Sequence, residues 1–247
     1  NLFFSKSKRY VISFNGEIFN YKSLNNKFKI FNHKEYTDTE ILVNLFEKIK
    51  PEKIPLLLDG MYSFVVFDKK HKKLFFAFDP QGERKLFYHK KQDEIIVAST
   101  PEVIVKNLKN EVKFNNKKLE SYFYTRHLTQ YKETIYESIK IFENGCLYIY
   151  DINSDNLEKK KIDNPLNWIS KRKYLKFKNL RPNKVEGYFA RLLRNTIDKL
   201  LPDIKFACVF SGGIDSSLVG NYLKDKKNLD FYYCLNHVGK DSITENI

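Results

Sequence analysis

Near residue 205 this 247-residue chain changes its pattern of apolar and polar residues. Lys205-Phe-Ala-Cys-Val-Phe210 is an almost continuous apolar run, and it passes directly into Ser211-Gly-Gly-Ile-Asp-Ser-Ser217. Apolar/polar alternation is lost when neither face of a strand meets water, so such a run predicts a strand buried on both faces of a parallel sheet. Parallel neighbours cannot be joined by a tight turn, and a crossover helix must follow. The segment to about Leu223 and a second apolar run, Leu229 to Leu235, supply that helix and the next strand. The end of the chain is therefore expected to open an α/β domain with a parallel sheet.

The preceding sequence is built differently. Arg9 to Phe14 alternates as a strand and runs into Asn15-Gly16-Glu17, which reads as a turn. Asp38-Thr39-Glu40, with Asp38 as the cap, precedes Ile41, Leu42, Leu45, Phe46 and Ile49 at helical spacing, and Pro51 follows. Tyr62–Asp68 and Lys73–Phe78 form a hairpin across Lys69–Lys72. Leu86–Tyr88 and Ile95–Ala98 read as further strands, and Asn144-Gly145 before Cys146–Tyr150 as a second hairpin turn. Short antiparallel strands with a few helices imply an α+β layered domain. Between Asp151 and Asn183 periodicity fades among Lys, Asn, Pro165 and Pro182, as in a linker. Val185 to Leu201 then carries Phe189, Leu192, Leu193, Thr196, Ile197 and Leu200 on one helical stripe. The expected organisation is a domain over 1–151, a linker over 152–183, and the start of a second domain over 184–247.

Charge raises the question of a polyanionic partner: 44 Lys+Arg against 30 Asp+Glu leave a net +14. The basic residues are mostly Lys, scattered among Asn, Ile, Phe and Tyr with no clean basic helix face, which is the pattern of AT-rich coding on solvated surfaces. Neither nucleic acid nor a membrane is expected as a partner. No stretch approaches the roughly 20 apolar residues of a membrane-spanning helix, and Asn1-Leu2-Phe3-Phe4 lacks the architecture of a secretion signal. With no initiator Met, and with Asp241 to Ile247 resembling no finished element, the chain reads as a piece open at both ends. Cys146, Cys208 and Cys234 lie in apolar stretches without metal-ligand spacing, as expected of reduced packing residues in the cytoplasm.

The glycine loop carries the strongest chemical signal. Gly212 and Gly213 let backbone N–H groups approach an oxyanion, the helix behind presents its positive end, and Ser211, Ser216 and Ser217 add hydroxyls. A Walker loop is excluded because no Lys follows the second glycine. The string S-G-G-I-D-S-S resembles the pyrophosphate loop of the N-type ATP pyrophosphatases, which adenylate an acid and release pyrophosphate. That resemblance implies ATP contacts at Phe210, Ser211, Gly212, Gly213, Asp215, Ser216, Ser217 and Leu235, with the Phe210 backbone near adenine and Asp215 helping to place Mg2+.

Four earlier blocks specify the relative: Phe14-Asn-Gly-Glu-Ile-Phe-Asn20, Thr37-Asp-Thr-Glu40, Leu58-Asp-Gly-Met-Tyr-Ser-Phe64, and Asp79 to Tyr88. In order and spacing they resemble the glutamine-dependent asparagine synthetase family. The resemblance implies an N-terminal-nucleophile hydrolase-like layered antiparallel sandwich that cleaves glutamine, followed by the α/β synthetase domain. It further implies that the Asn15 side chain and Gly16 N–H form an oxyanion hole, and that Glu17 and Asp38 hold the polar end of glutamine, Asp38 facing its α-ammonium. Asp59-Gly60 and Asp79 to Tyr88 are expected to shape the domain. The implied activity is asparagine synthesis: ATP-dependent amidation of aspartate, or another acid, through an AMP ester with ammonia from glutamine. ATP and Mg2+ are the implied cofactors, and a homodimer is a compatible assembly.

The sequence also departs from the family. Its nucleophile, a cysteine at the mature N-terminus whose α-amine serves as base, is absent from these residues. The arginine-bearing segment that binds the glutamine carboxylate is absent as well. In the fourth block Pro80 stands for an Arg and Lys85 for a Pro. Two rival readings follow: a relative that amidates a different carboxylate, and a nucleophile-less module that binds glutamine or nucleotide.

Overall fold

The computed structural model describes residues 2–108, 112–126, 133–163, 168–202 and 204–234, with 231–234 as backbone only. It forms two compact units that divide between Ser170 and Lys171. In the first unit the elements are β1 (Phe3–Phe4), β2 (Tyr10–Ile18), α1 (Tyr21–Phe28), α2 (Asp38–Lys48), β3 (Gly60–Asp68), β4 (Lys73–Phe78), β5 (Phe87–Lys91), β6 (Glu94–Ala98), α3 (Pro101–Asn107), α4 (Asn116–Thr125), β7 (Lys140–Ile141), β8 (Cys146–Asp151) and β9 (Asn156–Lys161). A six-stranded antiparallel sheet runs β1-β2-β3-β4-β8-β9, and a three-stranded one runs β6-β5-β7.

Side-chain alternation sorts the residues into layers. Tyr10, Ile12 and Ile18 of β2, Tyr62, Phe64 and Val66 of β3, and Phe75 and Ala77 of β4 pack against Leu24 of α1 and Ile41, Leu42, Leu45 and Phe46 of α2. Phe46 anchors this core, its ring 5.6 to 5.9 Å from those of Tyr10, Phe64 and Phe75. The opposite face of the large sheet, with Phe76, Phe78 and Tyr148, meets Leu86, Tyr88, Ile95 and Val97 around the small sheet. The far face of the small sheet, with Phe87, Ile96 and Ile139, is covered by Ile104 and Leu108 in and just after α3. The order helix, sheet, sheet, helix is the layered antiparallel sandwich expected from the sequence.

Four local expectations change. Asn15-Gly16-Glu17 is not a turn: β2 continues through it, paired residue for residue with β3 from Tyr10↔Asp68 to Ile18↔Gly60. The cap of α2 is Thr37, not Asp38; its hydroxyl accepts from Glu40 N, and the Glu40 carboxylate accepts from Thr37 N in a capping box. Asn144-Gly145 joins two sheets and not a hairpin, because β7 pairs with β5 while β8 pairs with β4 and β9. The stretch 152–183 is not a linker throughout. β9 completes the large sheet, with Tyr150 opposite Leu157 and Cys146 opposite Lys161, and the first unit reaches Ser170. Its lysines masked the strand because an edge strand with a solvated face can be largely charged.

The second unit comprises α5 (Lys171–Lys178), α6 (Pro182–Leu200), β10 (Phe206–Phe210), α7 (Ile214–Leu223) and β11 (Leu229–Cys234). Strands β10 and β11 pair in parallel, Phe210 opposite Cys234, with α7 as the crossover. This is the expected βαβ unit. Burial on both faces is not observed: Val209 is 63% exposed, so no described residue covers that side of β10. No helix among the described residues is long and apolar enough to cross a membrane.

Candidate active site

The end of β2 is where the sequence-predicted residues converge. In an antiparallel ladder, alternate residues aim their N–H and C=O at one neighbour or the other. The Arg9 carbonyl accepts from Lys69 N and Phe19 N donates to the Asp59 carbonyl, so odd-numbered residues of β2 bond toward β3. Even-numbered residues therefore point to the outer edge. There the Tyr10 carbonyl accepts from Ser5 N, and β1 pairs only as far as Phe3 opposite Ile12. Beyond that point the Gly16 N–H faces an edge that no described strand covers.

Gly16 has to be glycine. Its φ is +137°, and a Cβ there would lie 2.1 Å from the Met61 carbonyl oxygen and 2.6 Å from the Tyr62 Cα. Gly60 answers it across the ladder, since a Cβ on Gly60 would lie 2.2 Å from the Glu17 carbonyl oxygen. The two strands thus approach closely where the open-edge amide sits. Asn15 and Glu17 flank that amide, both exposed and both on the sheet face away from α1 and α2.

Asp38 comes to the same end from the first turn of α2. Its Oδ2 accepts from Ile18 N at 3.0 Å, and its Oδ1 accepts from Thr39 N at 2.7 Å and from the Thr39 hydroxyl. The capping box fixes the helix start, and the helix start fixes Asp38 against the strand. A half-buried carboxylate therefore stands one alternation beyond the Gly16 N–H. Asn15, Gly16, Glu17 and Asp38, distant in sequence, belong to one end of one strand.

An open cleft of about 720 Å³ adjoins this end, lined among others by Phe19, Leu58, Gly60, Met61, Pro80 and Glu83. The loops that shape it are pinned from within. Asn20 accepts from Asp59 N and donates to the Leu57 carbonyl. Asp79 is fully buried and accepts from Glu83 N and Arg84 N, each at 3.0 Å. That is the shaping role expected of the Asp59-Gly60 and Asp79 blocks. Burial, with Asp79 nearby, raises the Tyr62 phenol above its ordinary pKa.

Of the sulfur candidates, Cys146 is buried between the two sheets and Cys208 is half-buried on β10. Neither lies on β2.

In the second unit the loop between β10 and α7 has Gly212 at φ +78°, and Gly213 as an N-cap without a side-chain cap. Ser216 and Ser217 donate to the Gly213 carbonyl at 3.0 and 2.8 Å, and the Ser211 hydroxyl lies 3.1 Å from that of Ser216. Asp215 is exposed in the first helical turn. Leu235 lies outside the described residues. Among the described residues no group of three or more His, Cys, Asp or Glu side chains is placed to hold a metal ion.

One buried polar group escaped the sequence reading. Ser63, 2% exposed and directly opposite Asn15, has a hydroxyl with no hydrogen-bond partner. Inside Tyr62–Phe67 it reads as an ordinary strand position, and nothing in the sequence alone would have singled it out.

A family model described as a glutamine amidotransferase domain matches residues 2–161. The chain belongs to this family of glutamine amidotransferases. Among similar proteins, the glutamine-hydrolysing asparagine synthetase of Rattus norvegicus is 31% identical over 234 residues, covering 91% of this chain and 38% of the relative. Asparagine synthetase 2 of Bacillus subtilis is 29% identical over 240 residues, with 94% and 32% covered. The amidotransferase chain thus spans about a third of the length of these relatives. A solved glutamine phosphoribosylpyrophosphate amidotransferase from B. subtilis overlays at TM-score 0.43 and 15% identity, covering the whole chain and 51% of the other, a likeness too loose to place any residue. The matched region ends at Lys161, the last residue of β9, so the family's domain closes with the six-stranded sheet.

Proposed function

We propose that the first unit hydrolyses the side-chain amide of glutamine, with the Gly16 N–H and the Asn15 carboxamide receiving the tetrahedral oxyanion. Glu17 and Asp38 hold the polar end of the substrate, Asp38 toward the α-ammonium. The observation that carries this reading is the open-edge amide of Gly16, held by a backbone that excludes any Cβ and flanked by an exposed Asn. A donor fixed before the reaction stabilises developing charge without reorganising, which is why such pairs dominate acyl transfer. The attacking thiolate is to be supplied by a residue other than Cys146, which its burial removes from the reaction.

We further propose that the ammonia serves an ATP-dependent amidation of aspartate, through its AMP ester, in the α/β unit. Support comes from the uncapped first turn of α7 behind Gly212 and Gly213, where backbone N–H groups remain for phosphate. The Phe210 backbone then lies at the adenine end, with Ser211, Ser216 and Ser217 at the phosphates. Asp215 would hold Mg2+ jointly with phosphate oxygens, the usual manner of a cation that keeps few protein ligands and neutralises phosphate charge.

The test uses the uninterrupted reading frame that contains these residues. Glutamine should yield glutamate and ammonia, and ATP with aspartate should yield AMP. Asn15→Ala should lower kcat for glutamine by roughly 100- to 1000-fold with little change in KM. Ammonia release without AMP from any acid would retain the first proposal and remove the second, while binding of glutamine without hydrolysis would leave a sensor.

A further inference from the structure

The buried hydroxyl of Ser63 asks for an explanation. A hydroxyl shut away from water without a partner is destabilising, and an Ala would fit in its place. Its surroundings supply few candidates. Ser63 lies between Asn15 on β2 and Phe78 on β4, with Met61 and Val65 as its same-face neighbours along β3. Phe78, Met61 and Val65 offer no strong acceptor. Asn15 is the polar side chain directly opposite, on the same sheet face, where paired Cβ atoms lie about 5.5 Å apart. That separation is within reach of one hydrogen bond between a hydroxyl and a carboxamide.

Resting on the amide-hydrolysis reading above, we propose that Ser63 is a positioning residue for the oxyanion hole. In the working site its hydroxyl, which has no partner in this structure, turns to donate to Oδ1 of Asn15. An Asn whose oxygen is engaged in this way must present its Nδ2–H groups elsewhere, and the open edge beside Gly16 is the direction left. Without that bond an exposed Asn is free to flip, and an amide turned by 180° offers an acceptor to a developing anion. Ser63 thus decides which end of the carboxamide meets the charge, and touches no substrate itself.

Steady-state glutamine hydrolysis by the full reading-frame protein, as wild type, Ser63→Ala, Ser63→Thr, Asn15→Ala and Asn15→Ala/Ser63→Ala, provides the test. Ser63→Ala should lower kcat about tenfold at unchanged KM, while its urea midpoint changes little, because the bond lost is to an exposed carboxamide that water can resolvate. Ser63→Thr, which keeps the hydroxyl, should recover part of the rate. In the Asn15→Ala background the Ser63 change should have no further effect on rate. Wild-type kcat in Ser63→Ala, or additive losses in the double variant, would overturn the assignment. Should the wild type hydrolyse no glutamine, the amide-hydrolysis reading falls by itself. The side-chain pair is then decided by the Asn15 Nδ2 resonances in 15N NMR of the 247-residue chain: a shift on Ser63→Ala retains the hydrogen bond, and unchanged resonances dismiss it.

Discussion

Asp68 closes the β3–β4 hairpin at the end of the sheet remote from the candidate site, and its replacement tests the electrostatic reading of the fold. The carboxylate is 2% exposed. Arg9 reaches it with Nε at 2.9 Å and Nη2 at 2.6 Å, His71 Nδ1 lies 2.8 Å from Oδ2, and Lys70 N donates at 3.0 Å. Burial alone would raise the carboxyl pKa, but the bonds from Arg9, His71 and Lys70 outweigh it and hold the group far below the ordinary carboxylate range. Asp68→Asn removes the charge and sets an amide NH2 against the guanidinium. Breaking one side of a buried pair costs about 3–5 kcal/mol. Arg9 and His71 keep roughly a third and a half of their side chains in water and can be resolvated, so about 2–3 kcal/mol is expected at pH 7. The sign with pH follows from linkage. A group whose folded pKa is depressed stabilises fully above its unfolded pKa, about 3.9, and loses that contribution as pH falls toward the folded value. The gap between wild type and Asp68→Asn should therefore persist from pH 7 to about pH 5 and shrink steadily below pH 4. Urea unfolding followed by the fluorescence of Trp168, the single tryptophan and part of the first unit, reads the relevant transition. A gap of the same size at pH 7 and pH 3 would refute the claim that the folded state binds the ionised carboxylate selectively.

Three further outcomes are expected. Gly60→Ala drives a Cβ to within 2.2 Å of the Glu17 carbonyl and should cost about 3 kcal/mol in urea unfolding; a loss below 1 kcal/mol would mean that the strands can part without penalty. Thr37→Ala removes the hydroxyl that accepts from Glu40 N, while the residue-37 N–H can still donate to the Glu40 carboxylate, and should cost about 1 kcal/mol, with reduced amide-exchange protection in the first turn of α2. Asp155 is held down to about 2 by hydrogen bonds from Lys90 at 2.7 Å and the Tyr150 phenol at 2.6 Å. Lys90→Met should bring its carboxyl titration, followed by 13C NMR, back up toward the ordinary range, and an unmoved midpoint would exclude Lys90 as the main cause.

Tyr62–Asp68 and Lys73–Phe78 were legible as two apolar runs flanking the polar turn Lys69–Lys72 and pair as read, although both of their faces are packed, and the parallel pair follows from two apolar runs flanking a glycine loop. What escaped was set by partners that local pattern does not reveal. Asn156–Lys161 has a largely charged sequence, yet its backbone pairs with β8, and Lys160 bonds to Glu52, more than a hundred residues earlier in the chain. Asn144-Gly145 has the chemistry of a tight turn and makes one, but which strands it connects depends on β5 and β4. Phe142 N bonding to the Leu86 carbonyl holds the chain on the small sheet until that turn carries it across.

Asn15-Gly16 shows how the element a pair belongs to changes what its backbone can do. As a turn, the pair would satisfy its own backbone groups and leave no directed donor. As a strand, it divides its amides by parity, and parity has a chemical consequence. Of the outer-edge positions at the two ends of β2, Tyr10 is tied through its carbonyl to Ser5, and Ile18 through its N–H to Asp38. Asp38 thus stands in for a neighbouring strand where the ladder stops, which keeps β2 straight and paired with β3 through its last residue. Gly16 lies between those two anchors, in a conformation only glycine tolerates, against a carbonyl that leaves it no room to rotate away. The N–H is directed because the residues on either side have used theirs. An Asp38→Ala variant should consequently loosen the amide exchange of Gly16 and Ile18 before that of the rest of the helix-facing cluster, since Ile18 is the member of that cluster whose backbone bonds to the Asp38 carboxylate.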